Sequence, residues 1–187
     1  MLTTEGLNSD DKYEAIFTFG TRSFSIWDDQ GQLVSDSADS MEQATKLLPG
    51  CGEDGNAFDE DLCGFNSTND ENESFDDRSD DKGPEPEGVV VGKYKGQTYA
   101  FVGLERVGGI MVYNITDPTS PEPVFYQPAR DFDVSPVVDE DDVTVSEVKD
   151  LGPEGLLYIK AGKSPIDEPL LVVGNEVSGT TTIFQVK

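Results

Sequence analysis

The sequence predicts an all-β fold, a partial β-propeller of two to three antiparallel blades with long acidic loop insertions and one short helix. Three observations carry this reading: glycine-bounded runs of aromatic and β-branched residues, a long motif that occurs twice in the same order, and acidic residues crowded into the intervals between them.

Taken in order, Tyr13–Phe19 and Ser23–Trp27 read as the first strands, and Asp39–Leu48 as the one helix. There Asp39 and Glu42 have capping-box spacing, and Met41, Ala44, Leu47 and Leu48 form an apolar stripe. Gln97–Val102 and Gly109–Tyr113 are further strands. The repeat runs Pro86-Glu87-Gly88, then Ala100–Glu105, then Gly109–Ile115, and again Pro153-Glu154-Gly155, then Leu171–Glu176, then Thr181–Val186, with an expanded hairpin at Gly162–Pro169. A weaker third copy, Ala15–Gly20 followed by Ser23–Trp27, lacks the Pro-Glu-Gly start. A short meander that cannot bury both faces alone suggests propeller blades, and the recurrence of roughly 70 to 80 residues requires insertions between them. These are Gly50–Lys82 and Arg130–Asp150. The expected organisation is therefore 1–48 partial blade plus helix, 49–82 acidic insertion, 83–129 blade, 130–150 acidic connection and 151–187 C-terminal blade. Two and a half blades do not close a ring, so the remaining blades or another protein chain are expected partners.

Charge narrows the chemistry. Asp and Glu number 38 against 13 Lys and Arg, a net charge of −25 that repels nucleic acid and anionic lipid and attracts cations. No histidine is present, which removes the Ser-His-Asp triad and most zinc sites while leaving all-oxygen calcium chemistry. The segment from Asn66 to Glu87 offers Asn66, Asn69, Asp70, Asn72, Glu73, Asp76, Asp80 and Asp81 as oxygen donors without EF-hand spacing. It reads as a calcium loop, against the alternative of a disordered acidic linker. Glu87 and Glu154 begin the first strand of each repeat, and Glu105 and Glu176 end the second. They read either as metal-binding carboxylates gathered at one rim or as caps for their own turns.

Cys51 and Cys63 flank an acidic segment and read as a disulfide closing a surface loop, which the chain-entropy estimate values at about 3 kcal/mol; the alternative is two free thiols. Sequons at Asn66, Asn72 and Asn114 are glycosylation acceptors if the source is eukaryotic. The chain shows no basic and apolar leader and no apolar run long enough to span a membrane, so any signal or anchor is expected outside it.

At Gly109-Ile-Met-Val-Tyr-Asn-Ile-Thr-Asp117-Pro118, with Pro121 following, the sequence resembles the LVIVD-type propeller repeat. Together with Phe65–Gly88, Asp150–Tyr158 and Leu171–Ile183, it resembles the choice-of-anchor I family, which includes mesenchyme-specific cell-surface glycoproteins and bacterial proteins labelled alkaline phosphatase. The resemblance is to the C-terminal part of longer proteins. It implies an extracellular or cell-surface location and a calcium-binding structural, matrix or binding role. A calcium-dependent phosphoesterase, phosphatase- or phytase-like, built around Glu87, Glu105 and the acidic loop is the alternative. A scaffold that binds protein partners without metal is the third reading. No Gly-x-Ser-x-Gly setting marks a nucleophile, and no catalytic residue is assigned.

Overall fold

The structure, a computed structural model, describes residues 6–10, 12–15, 21–52, 58–71, 74–134, 137–139, 142–144 and 149–187. The expected strand residues Ile16–Phe19, and with them most of the first half of the weak third repeat, lie outside this set. So do Asn72 and Glu73.

Each full copy of the repeat builds one antiparallel sheet. The first is four-stranded, in the order β3 (Pro86–Tyr94), β4 (Gln97–Leu104), β5 (Ile110–Asn114), β6 (Glu122–Gln127). The second has three strands, β9 (Pro153–Ile159), β10 (Leu170–Asn175) and β11 (Thr180–Gln185). The hairpin expansion read from the sequence is the connection after β9, which carries one 3₁₀ turn at Ala161–Lys163, where the first sheet turns at Lys95-Gly96. A short hairpin, β1 (Ser25–Trp27) and β2 (Leu33–Asp36), stands ahead of them, and a second, β7 (Val137–Asp139) and β8 (Asp142–Thr144), lies in the acidic connection. The architecture is all-β, with propeller-like blades and, among the described residues, one short α-helix, α1 (Ser40–Thr45).

The helix forms where expected but is not held as expected. The Asp39 side chain caps no backbone N–H; its carboxylate accepts from Gln43 Nε2 at 2.8 Å. Glu42, the expected reciprocal partner, turns inward and accepts from Arg22 Nη1 and Asn66 Nδ2, both at 2.7 Å. A carboxylate offered a guanidinium and a buried amide gains more than from one N-cap bond, because charge-assisted bonds are the stronger ones. Met41 is fully buried against Ala100, Val102, Leu104, Met111 and Tyr113, on the side of the first sheet turned away from the second.

The other side of that sheet faces the second. Phe101, Ile110, Leu171 and Val173 make a shared core, joined by Val90, Val112, Leu156, Tyr158 and Phe184. Tyr158 stacks on Phe101 with ring centroids 5.7 Å apart, and its hydroxyl donates to the Lys93 carbonyl at 2.7 Å. Tyr158→Phe keeps the stacked ring and removes only that bond between sheets, so we expect a loss of about 1 kcal/mol in urea unfolding. The two sheets approach most closely at the repeat starts: a Cβ on Gly88 would lie 2.1 Å from the Glu154 carbonyl oxygen, and one on Gly103 2.6 Å from that of Pro153. Outward faces of both sheets keep apolar residues in solvent, Val89 and Val91 on one and Leu157 and Ile183 on the other. Further repeats stacked on either side would cover these faces.

Candidate carboxylate site

The Pro-Glu-Gly starts are where the chain breaks its own ladder. On β3 the register passes from Pro86 opposite Leu104 to Val89 opposite Val102, and on β9 from Pro153 opposite Asn175 to Gly155 opposite Gly174. Each is a bulge with one extra residue, and Glu87 or Glu154 falls in it. A bulge re-aims the side chain it carries, and here it turns each glutamate toward the end of the neighbouring strand.

The consequence is a pair in each repeat. Glu105, directly after β4, is buried, and its carboxyl is held above the usual carboxylate range by that burial and by a hydrogen bond to Glu87, with Arg106 pulling the other way from 3.4 Å. Glu154 is held above the range by its hydrogen bond to Glu176, the residue after β10, and by that neighbour's charge. Glu87 lies close enough to Glu154 to add to the effect. Glu87 thus lies against Glu105, and Glu154 against Glu176. Two carboxyls in contact hold either a shared proton or a cation between them. Among the described residues no three carboxylates converge on one point. Each pair therefore offers at most four oxygens, and calcium would complete its six to eight with water or main-chain carbonyls.

The acidic segment is arranged differently. Asn66 is fully buried in a left-handed conformation with φ of 46°, and its Nδ2, the atom that would carry a glycan, donates to Glu42 and to Ser79 Oγ at 2.7 Å. Asn69 is buried and accepts from Arg106 Nη1 at 3.0 Å. Asp70 accepts from Thr68, Asp76 from Ser79, and Asp81 pairs with Arg78 at 2.8 Å. Asp80 is exposed on the same turn. Asn114 ends β5, half-buried, with its Oδ1 accepting from the Thr116 N–H at 3.0 Å. Asn66 Oδ1 is buried without a hydrogen-bond partner, Asn69 is tied to Arg106, and Asp70, Asp76 and Asp81 have partners within the segment.

Two residues that organise this segment carried no sequence signal. Glu85, buried just before β3, pairs with Arg78 at 2.7 Å, with Arg106 at 3.3 Å and with Lys82. Arg130 is buried and donates to the backbone carbonyls of Thr68 and Glu71 while its guanidinium lies over the Phe132 ring at 4.8 Å. Burial lowers its pKa to about 10, so it stays charged at neutral pH. Arg106 and the carbonyls that Arg130 binds lie more than twenty residues away along the chain, beyond the reach of any local spacing. Cys51 and Cys63 are bonded, with Cα atoms 4.6 Å apart, which closes the loop as read from the sequence.

A family model for the choice-of-anchor I domain matches residues 1–118. The chain is also similar to Gigasin-3a of Magallana gigas, 28% identical over 203 residues that cover 99% of this chain and 62% of Gigasin-3a. It therefore spans less than two thirds of that relative's length. No solved structure matches it.

Proposed function

The chain belongs to the choice-of-anchor I domain family, and from that premise we propose that it is a calcium-binding segment of an extracellular or cell-surface β-propeller, with a structural or binding role. One observation carries the reading: successive repeats each use a bulge to press the glutamate of Pro-Glu-Gly against the glutamate that closes the second strand. A turn cap needs one carboxylate, and a second beside it only adds repulsion. A cation removes that cost. The disulfide suits an oxidising compartment. The outward apolar faces suit a chain whose neighbouring repeats come from the rest of a propeller or from another protein.

Millimolar CaCl₂ is the direct test. For dissociation constants of about 10⁻⁴ to 10⁻³ M, usual for extracellular modules, calcium at about 10 mM stabilises by about 1.4 to 2.7 kcal/mol per site. That corresponds to a melting shift of roughly 3 to 10 °C for a chain of this size. A Glu87→Gln/Glu154→Gln double variant is expected to lose the shift while keeping its fold. An equal shift with NaCl at matched ionic strength, or an undiminished one in the variant, removes the glutamates from the site.

A further inference from the structure

The first strands of the two repeats, β3 and β9, run side by side in the same direction. Gly88 lies against Glu154, and a Cβ on Gly92 would lie 2.6 Å from the Tyr158 ring. Equivalent ends therefore meet. At one end stand Glu87 and Glu154; at the other, roughly 20 Å away at the usual rise per residue, stand Lys93 and Lys160. These lysines hold the same place in the two repeats, six residues after the glutamate.

Lys93 and Lys160, with Lys163 from the 3₁₀ turn after β9, line one open groove of about 610 Å³ together with Val91, Tyr158 and Ile159. Its walls are fixed by packing, since the Tyr158 hydroxyl donates to the Lys93 carbonyl at 2.7 Å and the Tyr158 ring stacks on Phe101. All three lysines are exposed, and among the described residues none of them pairs with a carboxylate. Lys82 and Lys149, by contrast, pair with Glu85 and Asp131. Asp167 and Glu168 follow on the same connection as Lys163, but the charge of Glu168 acts on Lys95, which does not line the groove.

In a chain of charge −25, three ammonium groups around one groove reverse the local sign. They repel one another, and an anion of two or more charges seated among them removes that repulsion. The negative field of the rest of the chain disfavours a long polyanion, which leaves a small anion as the occupant. Apolar side chains beside the ammonium groups suit a ring or hydrocarbon body.

We propose that this groove binds a small organic anion of charge two or more, with its charged end on Lys93, Lys160 and Lys163 and its ring or apolar body on Val91 and Tyr158. Lysine suits such a ligand because it acts as a point charge that needs no fixed fork geometry. The site uses neither calcium nor the glutamate pairs, from which the length of the first strands separates it.

Phenyl phosphate and phthalate are the probes, since a double charge can come from one phosphate or from two carboxylates. Each is titrated into the full chain in metal-free, phosphate-free buffer and followed by amide NMR shifts. At least one is expected to bind saturably, with the largest shifts at Gly92, Lys93, Lys160 and Lys163, and the tighter of the two identifies the charged group. Benzoate, with one charge, and inorganic phosphate, with no body, are expected to bind severalfold more weakly. Lys93→Gln/Lys160→Gln is expected to weaken binding about tenfold or more, while Lys12→Gln/Lys46→Gln, which removes the same charge from exposed positions elsewhere, leaves it nearly unchanged. Absence of saturable binding, or equal weakening by the two double variants, overturns the proposal and leaves the lysines as charges that keep the edges of β3 and β9 from pairing. Inorganic phosphate binding as tightly as phenyl phosphate overturns it in favour of a plain ion patch. A short oligoglutamate binding more tightly than either probe overturns it in favour of an acidic peptide partner.

Discussion

Glu85→Ala is expected to lower unfolding free energy by about 3 to 5 kcal/mol, the cost of breaking a buried ion pair from one side. Glu85 sits at a left-handed φ of 55° between the acidic segment and β3, and its carboxylate is 6% exposed. Arg78, Lys82 and Arg106 converge on it, and its carbonyl accepts the N–H of Glu105 at 2.8 Å. Removing the carboxylate leaves three cations facing one another, partly shielded from water, so the loss exceeds that of any single surface pair. Glu85→Gln keeps an acceptor and is expected to cost less than the alanine change. Urea unfolding measures both. Trypsin gives a local readout, since Arg78 and Lys82 become cleavable if the segment detaches from the sheet. A loss under about 1 kcal/mol would mean that Arg130 and the disulfide hold the segment without Glu85.

The parts of this architecture that were legible in the sequence are those written in local pattern. Aromatic and β-branched runs such as Gln97–Val102 and the repeated Pro-Glu-Gly point to two blades, and the recurring glutamates mark positions that fall in contact in each. Strand β6 follows directly on the Asp117-Pro118 turn and Pro121 and contains Pro123, whose place on an edge strand spares it the need to donate an N–H. Strands β7 and β8 lay in an interval whose acidity read as connection, and β2 followed a turn built on Asp28, whose Oδ1 accepts the N–H groups of Gln30 and Gln32. The helix was placed correctly, but its supposed cap residue Glu42 serves Arg22 and Asn66 instead. Asn66 shows the general difficulty: composition marked it as a cation or glycan acceptor, and only its distant partners reveal it as a buried tie. Pairings across twenty or more residues are fixed by sheet packing, which no local period encodes.

The calcium effect is expected to grow with pH, and its sign follows from the carboxyl pairs. Glu105 and Glu154 bind a proton more tightly in the fold than in the unfolded chain, whose ordinary value is 4.5. Their contribution is complete below that value and is lost as pH rises through their folded values. Asp117, held low by the Thr119 hydroxyl, and Asp131, held low by Lys149, act oppositely: their contribution exists above 3.8 and is lost as pH falls through their folded values. Metal-free stability should therefore be highest near the ordinary carboxylate values and decline as pH rises through the folded values of Glu105 and Glu154. Calcium replaces the shared proton, so below the titration of each pair its apparent affinity falls tenfold per pH unit for each proton displaced. Melting curves from about pH 5 to pH 8, with and without CaCl₂ at matched ionic strength, should diverge steadily as pH rises. General relief of the −25 charge by acid also steepens the metal-free curve, but salt screens that repulsion and leaves contacting carboxyls nearly unaffected. Glu87→Gln/Glu154→Gln should flatten the divergence even at low salt. A calcium shift equal at both ends of the range would place the ion elsewhere than on the paired glutamates.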